Sequence, residues 1–190
     1  MDYEKLFSLY SKIIVEIGMG DGKLLESIAR NDASSLCLGI EVKSELCDQA
    51  RSRIVFGNNV LIVNGSFEEV ILNFPDASVD HFICVLPDPA YIDKRNQEKW
   101  APFYKIVRAK LKDNGILQLV TEITDELLRP VSDSAYSKWA GWLHTTFSSM
   151  GFLILNEYEG VPDGYFSNYL DQFRGDRQRI RIMTLEMSKH

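Results

Sequence analysis

Short runs of consecutive apolar residues alternate with longer stretches in which apolar residues recur every three or four positions. Runs of the first kind predict buried strands and stretches of the second kind predict helices. "KIIVEIG" (12–18) reads as a first strand and "KLLESIARN" as a helix after it. "SLCLGIEV" predicts a second strand, and "SELCDQARSRIVF" a second helix with Ser44 as its N-cap. "NVLIVNG" is a third strand, "SFEEVILNF" a short helix or turn, and "SVDHFICVLPD" a fourth strand. "EKWAPFYKIVRAKLKDNG" predicts a helix closed by Asn114-Gly115, and "GILQLVTEI" a fifth strand. "SDSAYSKWAGWLHTTFSSMG" is a long amphipathic helix, started by Ser132 or Asp133 and ended by Gly151; Trp139 and Trp142 on it are core or interface residues, core being the preferred reading. "FLILNEYEG" is a sixth strand; the turn "VPDG", a polar aromatic stretch and a last strand, "RIRIMTLEM", follow. Strands alternating with helices predict an α/β fold: a doubly wound, seven-stranded, mostly parallel sheet with helices on both faces. No long helix separates the last two strands, so they are expected as an antiparallel pair at one edge.

Composition narrows the function classes. Apolar residues make up 45% of the 190-residue chain and charged residues 25%, ordinary values for a globular protein. No apolar run reaches the roughly 18 residues needed to cross a membrane, and "MDYEKLFSLY" lacks the apolar core of a signal peptide. Cys37, Cys47 and Cys84 form no CxxC pair, which points to buried thiols in a reduced, cytoplasmic setting. His81, His144 and His190 lie far apart and read as incidental, so no metal site is expected. A net charge of −6 argues against coating nucleic acid by bulk charge, while leaving room for a local basic patch. The chain carries no signal for an oligomeric state.

Two short segments carry chemistry. "EIGMGDG" (16–22) joins the first strand to the first helix. Gly18 and Gly20 allow a tight turn and the close approach of a ligand, and Gly22 opens the helix, whose free N–H groups point outward. The second strand ends "GIEV", which sets Glu41 where a carboxylate can hold both hydroxyls of a ribose. Glu16 stands beside the turn and suits a cationic part of a ligand; a carboxylate-lined pocket fits a positively charged methionine-type ligand better than a pyrophosphate. The bland alternative is a structural glycine turn with a solvated Glu41.

The second segment is "CVLPDPAYIDKR" (84–95), in which a strand stops at an aspartate held between two prolines. The prolines fix φ and prevent the strand from running on, so Asp88 is positioned on a stiff turn. Two groups of cations flank this reading: Lys94, Arg95, Lys99, Lys105, Arg108, Lys110 and Lys112, and later Arg174, Arg177, Arg179 and Arg181. They suit phosphate contacts, or else they are the solvated faces of a helix and an edge strand. Tyr165, Phe166 and Tyr169 are aromatics suited to stacking on a splayed base.

The glycine turn, the acid one strand later and the strand order resemble the class I S-adenosylmethionine-dependent methyltransferases. That resemblance implies a single methyltransferase domain over 1–190, with 1–12 a short N-terminal extension. It implies S-adenosylmethionine as cofactor, held by Glu16, Gly18, Met19, Gly20, Gly22, Glu41 and Val42. Ser66 stands where the family usually has an aspartate for the adenine amino group, and Phe67 is placed to pack on the adenine. Within the class, "LPDP" followed by Lys94 and Arg95 resembles the tRNA (guanine-N7-)-methyltransferase family and its F-P-D-P-W turn. Ala90 replaces the tryptophan, and Ile92 stands where a lysine is usual. "LVTEITD" (119–125) resembles that family's T-D segment, with Glu122 after Thr121 in place of the aspartate. "SNYLDQF" (167–173) resembles its T-x-x-E segment, with Ser167 for the threonine and Leu170 for the glutamate. The resemblance implies a tRNA acceptor, Asp88 as the catalytic residue, and Lys94, Arg95, Thr121, Glu122, Ser167 and Tyr169 as substrate contacts. Two other readings stand beside it: a class I methyltransferase acting on a small molecule or protein, and a non-catalytic donor-binding subunit.

Overall fold

The computed structural model describes residues 1–55, 58–124, 127, 129–165, 168–176 and 179–189, the side chains at 168, 169 and 174 excepted. Seven strands form one sheet: β1 Ile13–Ile17, β2 Leu36–Glu41, β3 Val60–Asn64, β4 Val79–Val85, β5 Leu111–Thr124, β6 Phe152–Glu159 and β7 Ile180–Lys189. Their order is β3-β2-β1-β4-β5-β7-β6, with β1 to β5 parallel and β7 antiparallel to both β5 and β6. β1 and β2 are buried at every position, which explains why they read as unbroken apolar runs rather than alternating ones. The strand order reverses between β1 and β4, and the chain leaves the carboxyl ends of those two strands on opposite sides; such a crevice is where open α/β sheets hold ligands.

Helices cover both faces. α1 Tyr3–Phe7, α4 Phe67–Leu72, α5 Gln97–Lys110 and α6 Asp133–Ser149 lie over the larger core, in which Val15, Phe82, Tyr104, Leu119 and Phe147 have no exposed surface or nearly none. α2 Lys23–Asn31 and α3 Ser44–Arg53 cover the other face near β1 and β2, where Leu25, Cys47 and Ala50 are fully buried. α7 Asn168–Arg174 seals that same face near β5 and β7 through Leu170. The first residues join the core: the Tyr3 and Phe7 rings pack edge-on against Phe74 at centroid distances of 4.7 and 5.1 Å. Trp139 and Trp142 are half-buried against the larger core, as the helical spacing predicts.

Three expectations need correcting. Ser44 is the first helical residue of α3, and Lys43 occupies the N-cap position without a side-chain cap. The helix expected to run to Gly115 ends at Lys110, because Leu111 already pairs with Val79. The β4–β5 register then jumps to His81↔Ile116, and Asn114 takes φ +64° inside the bulge. The polar aromatic stretch after "VPDG" contains α7. The last two strands do form the expected antiparallel pair at one edge, with β7 between β5 and β6.

All three cysteines are free and buried. His81 is not a surface residue: it is enclosed in β4, where loss of solvent pulls its pKa down to about 4. His144 pairs with Glu157 on the surface at 2.7 Å, and His190 lies outside the described residues. Among the described residues no group of acids, histidines and cysteines is placed to hold a metal, and no helix is long and apolar enough to cross a membrane.

Candidate active site

The turn after β1 is built by backbone that side chains would oppose. Gly18, Gly20 and Gly22 all take positive φ, at 70°, 58° and 77°. The amides of Gly18 and Met19 both bond the carbonyl of Ile40, which ties the turn to the end of β2. A Cβ at Gly18 or Gly20 would meet no atom within 4 Å, so these two face open space. Gly22 is different: a Cβ there would lie 2.7 Å from the Ala50 Cβ of α3. Gly22→Ala therefore combines a left-handed backbone with a clash and should cost about 2 to 3 kcal/mol, read as a drop in denaturant midpoint. A variant as stable as the parent would mean that α2 and α3 can separate freely.

The open space is a pocket lined by the glycine turn, by Glu16 and Glu41, and by the end of β4 with the turn after it. Glu41 is buried, and both of its oxygens are held by backbone: Oε2 accepts from Gly20 N at 3.1 Å and Oε1 from Lys43 N at 2.9 Å. Its orientation is thereby fixed before any ligand arrives. Glu16 is also buried, at 4% exposure, but its Oε2 has no hydrogen-bond partner. Burial pushes its carboxyl up to about 8, the charges of Asp21 and Glu41 push the same way, and the Leu25 amide opposes them. An acid in the middle of "IIVEI", in a strand with apolar neighbours on both sides, is a group waiting for a cation.

Register links Glu16 to the far side of the sheet. Glu16 is level with Ile83, Ile83 with Gln118, and Gln118 with Glu186, so these four share one face. Gln118 donates to Glu186 Oε1 at 3.0 Å and accepts from the Tyr165 hydroxyl. Tyr165 is close enough for Glu16 to act on its phenol, which burial above all holds protonated. Tyr165, in the chain after β6, is thus fastened beside Glu16.

β4 ends in strain. Leu86 takes φ +52°, a conformation that costs a branched L residue about 1 to 2 kcal/mol. Its amide bonds the Val120 carbonyl of β5 at 2.8 Å, which holds it there. The chain then turns through Pro87, Asp88 and Pro89 over the pocket mouth. Asp88 is exposed and caps the short 3-10 turn Pro89–Tyr91, its Oδ1 accepting from Ala90 N at 2.8 Å. Behind it Phe67, Tyr91 and Phe103 form an aromatic wall, with centroids 4.9 Å apart for Phe67–Tyr91 and 5.0 Å for Phe67–Phe103.

The structure gathers Glu16, Gly18, Met19, Gly20, Glu41, Phe67 and Asp88 in one pocket. Ser66 sits at the N-cap of α4 just outside the lining, Val42 points to solvent at 66% exposure, and Gly22 lies behind the turn against α3. The expected acceptor contacts are more scattered. Lys94 lies over the Trp142 ring at 6.0 Å, and Arg95 pairs with Asp93 at 3.1 Å, so neither lines the pocket. Thr121 is fully buried with its hydroxyl unpartnered. Glu122 is largely buried with Oε2 unpartnered, and burial raises its carboxyl to about 7. Ser167, Phe166 and Arg177 lie outside the described residues; Tyr169 lies in α7.

Among the described residues, Arg108, Lys110, Lys112, Arg179 and Arg181 do not gather into one basic mouth. Lys110 pairs with Asp76 and Lys112 with Asp80, both at 2.7 Å, at the amino ends of the strands, opposite the pocket. Arg108 donates to the Gly151 carbonyl. Arg179 pairs with Asp176, and Arg181 with Glu159 and Asp133. Sequence reading missed Lys43, Leu46, Tyr91, Phe103 and Tyr104 as pocket residues. Phe103 and Tyr104 have a helix-face signal that marks core and pocket alike.

A family model described as "Putative methyltransferase" matches residues 10–140. The tRNA (guanine-N(7)-)-methyltransferase of Yersinia enterocolitica is 31% identical over 127 residues, which cover 64% of this chain and 53% of that protein. The chain thus spans about half the length of the curated relatives it matches. Among solved structures, the 16S rRNA (adenine(1408)-N(1))-methyltransferase from Catenulisporales acidiphilia with cosubstrate SAM superposes with a TM-score of 0.71 at 16% identity, covering 99% of this chain and 90% of that one. A SAM-dependent methyltransferase from Geobacter sulfurreducens in complex with S-adenosyl-L-homocysteine gives 0.60 at 14% identity, covering 100% and 90%. At these identities the likeness is one of fold.

Proposed function

The chain belongs to this methyltransferase family, and from that premise we propose that it is an S-adenosylmethionine-dependent RNA methyltransferase acting on guanine N7 of a tRNA. One observation carries the donor half of this reading: a buried carboxylate oxygen on Glu16 without a partner, beside a glycine turn that leaves room for a ligand. Glu16 suits the cationic methionine portion, prearranged Glu41 the ribose hydroxyls, and the Phe67 wall the adenine face. S-adenosylmethionine, when bound, supplies a methyl carbon attached to a cationic sulfur. The chain's own residues align the partners and exclude water. Guanine N7 carries a free lone pair, so no side chain has to take a proton from it. Methylation leaves the base cationic, and the Asp88 carboxylate at the pocket mouth suits that charge.

Support for the tRNA acceptor comes from the names of the curated relatives and from the proline-bracketed aspartate. A single domain over 1–190 in a cytoplasmic setting fits the same reading. The test is transfer of labelled methyl from S-adenosylmethionine to unmodified tRNA, followed by nucleoside analysis. Label in 7-methylguanosine is expected. Donor binding with no label in RNA would overturn the acceptor and turn the search to small molecules or proteins.

Glu122 gives this reading a pH signature. Guanine's N1–H and amino group are donors, which a carboxylate accepts and a carboxylic acid serves poorly. With its carboxyl raised to about 7, Glu122 is protonated below that pH and charged above it. The KM for tRNA should therefore fall severalfold between pH 6 and 8. Glu122→Gln should flatten that dependence while leaving donor affinity unchanged; an unaltered profile would remove Glu122 from the acceptor site.

A further inference from the structure

Three more buried polar atoms on described residues have no hydrogen-bond partner and no part in the donor site so far: His81 Nε2, Tyr104 Oη and Thr121 Oγ1. His81 sits near the amino end of β4, away from the pocket, and Thr121 is outside the pocket lining. Tyr104 lines the pocket. It projects from α5 with no exposed surface, next to the Phe103 ring at 5.2 Å. A fully buried phenol that bonds nothing is costly, and native interiors rarely keep one without reason. Burial, with Cys84 and Tyr91 adding to it, keeps this phenol protonated, so it is a permanent donor.

The rest of the aromatic end has no free polar group to offer. Phe67 and Phe103 have none, and Tyr91 is engaged by the Glu68 carboxylate. Ser66, the N-cap of α4, offers a hydroxyl where a carboxylate could receive an amino group, and Glu68 in the first turn is taken up by Tyr91. The Tyr104 hydroxyl, enclosed in the pocket lining, is a donor that lacks an acceptor, and a purine edge offers bare nitrogens as acceptors. We propose that Tyr104 is a specificity-determining residue whose hydroxyl donates a hydrogen bond to a ring nitrogen of the donor's adenine. This rests on the reading of the pocket as a S-adenosylmethionine site, and it adds the contact that selects the base.

The experiment titrates S-adenosylhomocysteine and its 1-, 3- and 7-deaza analogues into the wild-type protein and Tyr104→Phe, alongside thermal unfolding without ligand. The variant should unfold at the wild-type temperature or above it, since it loses only an unsatisfied hydroxyl. It should bind S-adenosylhomocysteine about tenfold more weakly. One deaza analogue should bind the wild-type protein about tenfold more weakly, with no further loss on the variant. Wild-type affinity in the variant, a markedly lower unfolding temperature, or losses for all three analogues that are the same in both proteins would each overturn the assignment. Failure of the wild-type protein itself to bind S-adenosylhomocysteine would instead overturn the donor reading on which it rests.

Discussion

Glu16→Gln should weaken S-adenosylmethionine binding about 100-fold and, at the same time, make the ligand-free protein more stable at neutral and alkaline pH. Both effects come from one buried carboxyl. Its folded pKa, about 8, lies above the ordinary carboxylate range, so its contribution to stability is greatest in acid and is lost as pH rises through 8. Near neutrality the acid is kept mostly protonated, above all by burial; the Leu25 amide favours ionisation, while the charges of Asp21 and Glu41 oppose it. A cationic ligand reverses that balance, so binding near pH 7 should release up to about one proton. Glutamine keeps the shape, removes the ionisation, and should abolish the proton release. The stability gain at pH 8 should not exceed about 4 kcal/mol. Calorimetry in buffers of different ionisation enthalpy, with thermal unfolding from pH 5 to 9, reads all three. Unchanged affinity in the variant, or a stability difference that shrinks as pH rises, would remove Glu16 as the cation's partner.

That opposition between stability and binding is also why part of this site was legible in the sequence. A carboxylate inside "KIIVEIG" contradicts the burial that the neighbouring residues demand, and the glycines after it contradict the helix that follows. The strands were legible for the same physical reason: in a sheet covered on both faces, apolar runs are continuous and end abruptly. Where the reading failed, pairing between distant residues overrode local pattern. Lys105, Arg108, Lys110 and Lys112 continue a helical spacing to Asn114, yet Leu111 is taken by Val79, and a bulge absorbs the rest. The cations near Asp88 in sequence lead away from it in space. The 3-10 turn at Pro89–Tyr91 and a second one at Lys94–Asn96 carry Lys94 to Trp142 and leave Arg95 with Asp93. Tyr104 was not legible as a pocket residue at all. Its spacing from Trp100 and Val107 is that of any core face, and the missing hydrogen bond that singles it out exists only in three dimensions.

Asp88 should show the converse of Glu16: a large loss of turnover with donor binding nearly intact. Its carboxylate has two separable duties. Oδ1 accepts from Ala90 N and holds the turn, while Oδ2 makes no hydrogen bond among the described residues and is exposed at the pocket mouth. Asp88→Asn keeps an oxygen for Ala90 and discards the charge, whereas Asp88→Ala discards both. If the charge matters because the acceptor base becomes cationic, Asp88→Asn should lower kcat by about 100-fold or more, with donor affinity within about threefold. Asp88→Ala should lose about tenfold more, because the cap is worth about 1 kcal/mol and its removal lets the turn drift from its near-attack position. The strained Leu86 upstream makes that drift favourable, since its φ of +52° is held in part by the turn that follows, beside the Val120 carbonyl and the packing of its side chain. Single-turnover methyl transfer together with titration of S-adenosylhomocysteine separates the two duties. An Asp88→Asn variant with wild-type turnover would show that the carboxylate serves only to cap its turn. An equal loss in both variants would assign the whole effect to charge and leave the geometry of the turn without a catalytic share.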